Sequence, residues 1–281
     1  MVGKQLKFKM KLDKFNLENK NIIITGAAGL LGYEHTIALL NCGARVFMTD
    51  INLKKLNINK KKLLIKNKFY KIECYKMDVG SESSIKKITK TLEKKNIKID
   101  VLINNACLNP KYAQSFSNSN NKLENFSINT WNQEILIGLT GAFLCSKIIG
   151  SYMKKNITGG VILNISSELS VISPDQRLYI SKKNTNVKPV TYSVIKSGLI
   201  GLTRYLATYW LKENIRCNAL SPGGVEENQS KQFKNKIIKL IPMGRMAKKS
   251  EYHSAVQFLC SDASSYMNGQ NIVMDGGRSI W

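Results

Sequence analysis

The eight residues TYSVIKSG, Thr191 to Gly198, place a tyrosine and a lysine four positions apart, Tyr192 and Lys196. That spacing stacks two side chains on one face of a helix. A free phenol has a pKa of about 10 and is a poor base at neutral pH. A cation about 4 Å away, at an effective dielectric of about 20, favours the phenolate by roughly 4 kcal/mol. Such a field brings a tyrosine toward general acid/base work near neutrality. An isolated Tyr-x-x-x-Lys is most often a tyrosine beside a solvated lysine, so the rest of the chain decides. Leu199, Leu202, Leu206 and Trp210 continue at helical spacing, which predicts a helix carrying the pair.

A second stretch, TGAAGLLG, has glycines at 26, 29 and 32 between an apolar run and a helical pattern. Glycine permits the tight turn and lets backbone N–H groups approach a pyrophosphate at the helix N-terminus. Asp50 closes the next apolar run. A carboxylate there accepts hydrogen bonds from the adenosine ribose hydroxyls and repels a 2′-phosphate. The turn offers Ala27 and Ala28 but no basic side chain, and Lys54 and Lys55 read as solvated, so NAD is favoured over NADP.

These residues need elements to hold them. Residues 21–26, 44–50, 71–79, 100–106, 160–167, 215–223 and 271–277 read as strands, and about 30–41, 52–66, 81–95, 131–154, 191–213 and 249–260 as helices. Strictly alternating strand and helix without a break in composition predicts one α/β domain, a doubly wound, Rossmann-like parallel sheet. It spans residues 16–281, with residues 1–15 as a basic N-terminal extension. The polar stretch 113–127 reads as a surface loop.

The formal net charge of +24 raises the question of nucleic acid. Of 43 basic residues only six are Arg, the lysines are spread along the whole chain, and no nucleic-acid-binding signature occurs. The charge therefore reads as general composition that draws in anionic substrates. The six cysteines lack metal-ligand spacing, the N-terminus lacks an apolar signal centre, and no run of eighteen apolar residues occurs. A reduced cytoplasmic protein with no metal site and no membrane span is the expectation.

Together the motifs resemble the short-chain dehydrogenase/reductase family from about Asn16 onward. TGAAGLLG looks like its cofactor turn, NNA at 104–106 its strand-four motif, NISS at 164–167 its serine strand, TYSVIK its Tyr-Lys helix and NALSPGG its sixth-strand turn. The resemblance implies Ser167, Tyr192 and Lys196 as the catalytic set, with Ser167 orienting the substrate oxygen and Ser166 as the alternative. It implies a cofactor site of Gly26, Gly29, Leu30, Leu31, Gly32, Asp50, Asp78, Val79, Asn105, Ala106, Tyr192, Lys196, Pro222, Gly223 and Val225.

The chain also departs from the family pattern. Cys107 stands where Gly is usual, and Gly138 where an Asn commonly supports a proton-relay water. The sixth-strand turn PGGVEENQ lacks the Thr that often binds the nicotinamide carboxamide. Ser167 and Tyr192 lie 25 residues apart, roughly twice the usual interval. The extra residues, 173–189, carry Arg177, Tyr179, Lys182, Lys183 and Lys188. With this insertion the chain looks like the flagellin modification protein A group, associated with bacterial surface-glycan sugars. A phosphorylated or nucleotide-linked sugar contacting Ser167, Arg177 and Tyr192 is the expected substrate. A 3-oxoacyl or other small-carbonyl reductase and a non-catalytic dinucleotide binder are the rival readings. A homodimer or homotetramer is expected, with apolar faces of helices 131–154 and 191–213 suited to pairing.

Overall fold

In the computed structural model, residues 13–108, 121–180 and 187–281 are described. Most of the N-terminal extension, residues 113–120 of the polar stretch, and Lys182 and Lys183 lie outside these residues.

Seven strands form one sheet, β1 (Asn21–Thr25), β2 (Arg45–Asp50), β3 (Lys71–Lys76), β4 (Val101–Asn104), β5 (Gly160–Ile165), β6 (Ile215–Pro222) and β7 (Asn271–Met274). Their order is β3-β2-β1-β4-β5-β6-β7, with every pair parallel. Such strands are covered on both faces, which is why they read as continuous apolar runs. Along β1, Ile22 and Ile24 enter one core and Ile23 the other.

The helices are α1 (Leu30–Leu40), α2 (Leu53–Lys66), α3 (Glu82–Lys94), α4 (Ile128–Met153), α5 (Val190–Tyr209), α6 (Lys231–Ile237) and α7 (His253–Cys260). Side chains of α1, α2 and α7 fill the first core, and those of α3, α4 and α5 the second. The α4 helix is long and apolar enough to cross a membrane, with a mean hydropathy of 1.5. Its inward residues Cys145, Ile149 and Met153 are fully buried in the core, so its apolarity is that of a helix lying on a sheet.

Two glycine contacts fix α4 against α5 beside the Tyr-Lys pair. A Cβ on Gly138 would sit 2.8 Å from Ile195 Cγ2, and one on Gly198 would sit 2.8 Å from Leu139 Cδ2. Each helix therefore lends a side chain to the gap left by the other's glycine. Gly138 lies in a wide, π-type turn, Leu136–Thr140. The position read as a missing relay residue is thus a close approach of two helices.

The insertion is more than a solvated loop. Its turn Gln176–Leu178 buries Leu178 in a small cluster with Ile237, Ile241 and Met246. That cluster involves α6, which the strand and helix reading did not include.

Candidate active site

The strand order reverses between β1 and β4, and in open parallel sheets ligands bind in the crevice beyond the carboxyl ends of the strands at such a point. Here the turn after β1 meets the end of β4. Asn105 Nδ2 donates to the carbonyls of Thr25 at 2.9 Å and Gly26 at 3.2 Å, while Thr25 Oγ1 accepts from the Asn105 and Ala106 amides. Gly26 has φ of +63°, and a Cβ there would lie 2.8 Å from Ala106 Cα. On Gly32 a Cβ would run into the Gly26 carbonyl and lie 2.8 Å from Ala27 Cα. Both positions require glycine.

Gly29 caps α1 and makes no side-chain cap hydrogen bond to its first amides. A helix N-terminus of this kind suits a phosphate group. Asp50 accepts the Ala28 amide at 3.1 Å and the Asn52 amide at 2.9 Å, which fixes a carboxylate at the turn's edge. Asp78 accepts from the Gly80 amide and is exposed, with Val79 buried beside it. On the far side, Pro222 ends β6, the Gly223 amide donates to the Met274 carbonyl, and the Val225 carbonyl accepts from Gln229 Nε2. The residues present fit a dinucleotide.

The paired serines separate cleanly. Ser166 Oγ donates to the main-chain carbonyl of Lys196 at 2.8 Å and is thereby committed to holding α5 on β5. Ser167 Oγ accepts the Leu169 amide at 3.2 Å, and Ser167 is among the groups that act on the Tyr192 phenol. Lys196 is buried, donates from Nζ to the Ile165 carbonyl at 2.9 Å, and stands 5.7 Å from the Tyr192 ring centre. The structure thus brings Ser167, Tyr192 and Lys196 together at the end of β5.

Burial holds the Tyr192 phenol above its ordinary pKa, against the Lys196 charge and the Ser167 hydroxyl, which both pull it down. The Cys107 thiol and Glu168 carboxylate add to the rise. In the protein alone, desolvation of the phenol outweighs the field of Lys196.

Two charged features lay beyond sequence reasoning. Lys188 Nζ sits 3.7 Å from the Tyr192 ring centre. Glu168 and Arg278, both buried, form an ion pair that ties the C-terminal segment to the serine turn. Burial pushes the Glu168 carboxyl up to about 6, and its Oε2 has no hydrogen-bond partner. Arg177 is arranged differently from the expectation. Its guanidinium is bound by Asp175 at 2.8 Å and its side chain is 86% exposed. Of the insertion's described cations, it is Lys188 that reaches the tyrosine.

This fold with its glycine turn and Ser-Tyr-Lys cluster is that of an oxidoreductase, and the chain belongs to the short-chain dehydrogenase/reductase family. Residues 26–279 match the family model described as enoyl-(acyl carrier protein) reductase. The chain is 31% identical to the 3-oxoacyl-[acyl-carrier-protein] reductase FabG of Thermotoga maritima, over 94% of this chain and 99% of that one. It is 28% identical to the 2-dehydro-3-deoxy-D-gluconate 5-dehydrogenase of Dickeya dadantii, over 95% and 98%. A short-chain dehydrogenase from Leptospira borgpetersenii, solved with bound NAD+, superposes with a TM-score of 0.80 at 30% identity, over 100% and 98% of the two chains.

Proposed function

We propose that the protein is an NAD-dependent oxidoreductase acting on a secondary alcohol or ketone of a phosphorylated or nucleotide-linked sugar, in the manner of the flagellin modification protein A group. The observation that carries the reading is the assembly of Ser167, Tyr192 and Lys196 beyond the glycine turn, with Ser166 committed elsewhere. NAD, when bound, supplies the hydride acceptor. Tyr192 takes the proton of the substrate hydroxyl as hydride leaves the same carbon, Ser167 holds the substrate oxygen, and Lys196 stabilises the phenolate. Asp50 beside Ala28 supports NAD over NADP, because its charge repels a 2′-phosphate.

The likeness to a sugar-acid dehydrogenase supports a sugar-type substrate, and the cations of the insertion support an anionic one. Arg177 reaches such a group only by exchanging Asp175 for it. Its removal should therefore cost less than the roughly 1.5–3 kcal/mol of a ready-made hydrogen bond to a charged group. Exposed Phe143 on α4 and Tyr205 and Tyr209 on α5 support pairing into a homodimer or homotetramer. A cytoplasmic location and the absence of nucleic-acid partners complete the proposal.

The test is NADH absorbance on mixing the protein with NAD and a panel of sugar phosphates, nucleotide sugars and sugar acids. NADH formation on one of them supports the reading. The FabG likeness favours a second reading, reduction of a 3-oxoacyl compound. Oxidation of NADPH by a 3-oxoacyl thioester, with no sugar turned over, would replace the first reading with the second.

A further inference from the structure

We propose that Lys188 is a positioning residue for Tyr192, its ammonium on the ring of the phenol stabilising the charged form that accepts the substrate proton. The inference rests on Tyr192 being the acid/base proposed above.

The arrangement begins in the sequence, where KPVTYSVIK sets Lys188, Tyr192 and Lys196 at successive intervals of four. Lys188 precedes the first turn of α5, so helical stacking does not place it. Three contacts of the insertion do. The Lys188 amide donates to Gln176 Oε1 at 2.8 Å, Gln176 begins the turn that buries Leu178, and Pro189 caps α5 as a buried residue. Proline fixes its own backbone and restricts the residue before it, which narrows the directions Lys188 can take.

The resulting 3.7 Å from Nζ to the ring centre is well inside cation–π range and shorter than the 5.7 Å of Lys196. Lys196 spends a donor on the Ile165 carbonyl. The other groups around the phenol are Ser167 and Glu168 from the end of β5 and Cys107 from the end of β4, with Arg278 behind Glu168. Burial, the thiol and the carboxylate all disfavour a phenolate. A second cation at the ring offsets them, and Lys188 also acts on the Glu168 carboxylate, holding it down against its burial. The insertion thereby contributes to the acid/base group itself as well as to the space above it.

The test needs no substrate. The near-ultraviolet difference between each protein and its Tyr192→Phe counterpart isolates the ionisation of this one phenol on alkaline titration. In K188Q the step should move to higher pH, and in K188R it should return toward the wild-type position. On whichever substrate the wild type oxidises, K188Q should lose between about threefold and thirtyfold in turnover at pH 7 and regain most of it at alkaline pH. NAD affinity should stay within about twofold, as expected for a residue acting through the phenol. An unmoved titration step in a folded K188Q protein overturns the proposal. So does a rise in KM for anionic substrates alone with an unchanged pH profile, which would make Lys188 a substrate contact. Failure of the underlying reading shows separately, as turnover that survives Tyr192→Phe.

Discussion

The Ser166 hydroxyl donates to the Lys196 carbonyl at 2.8 Å, so the residue next to the Ser167 turn is tied to the helix that carries Tyr192 and Lys196. The bond gives adjacent serines different tasks. Ser166→Ala should remove one buried hydrogen bond between β5 and α5, whose carbonyl keeps its helical partner, lower stability by about 0.5–1.5 kcal/mol and reduce turnover only modestly. Ser167→Ala gives up the Leu169 amide bond and should lower stability by a similar amount, about 0.5–2 kcal/mol, but it should reduce turnover by at least about tenfold. Melting curves and rates of the two variants check this, and the reverse pattern would exchange the two assignments.

On the proposed function, the Asp50 carboxylate disfavours a 2′-phosphate by its charge. Asp50→Ala should narrow the ratio of NAD to NADP affinity, because one repulsive carboxylate and its ribose hydrogen bonds are lost. Titration calorimetry of both dinucleotides measures it. A wild-type protein that binds NADP more tightly than NAD would show that Asp50 has another role.

Gly138 is a position where sequence and structure part. Restoring the family's Asn would push a Cβ into Ile195, one residue from Lys196. Gly138→Asn should therefore destabilise by roughly 1–3 kcal/mol without a gain in turnover. A rise in turnover at unchanged melting temperature would return the position to the proton relay.

His35 is fully buried with neither ring nitrogen hydrogen-bonded, and burial, with the neighbouring His253, lowers its pKa to about 3. The unfolded chain binds a proton near pH 6.5 that the folded chain refuses, so stability falls as pH drops below that value. Between neutral pH and pH 5 this one residue should account for a loss of about 2 kcal/mol. Urea unfolding of wild type and His35→Leu at the two pH values checks it, with the variant expected to lose correspondingly less.

The strands were legible in the sequence because parallel strands buried on both faces leave apolar runs that end in glycine or asparagine turns. The α6 helix was not. Its residues KQFKNKI are short and lysine-rich, and the available signal was Ser230 as a cap accepting the Phe233 amide, with Phe233 and Ile237 one turn apart. The Ser-Tyr-Lys set could be read from local motifs, since each lies at a strand end or on one helix face. What the sequence could not supply depends on loop closure and burial: Lys188 on the Tyr192 ring, Arg177 held by Asp175, and the desolvation that outweighs Lys196.

The most direct test of the account is turnover of Tyr192→Phe beside its NAD affinity, because only the titratable oxygen is removed. The account predicts NAD binding within about twofold of wild type and turnover lower by at least about a hundredfold. A folded variant that binds NAD and keeps more than about a tenth of wild-type turnover would contradict it.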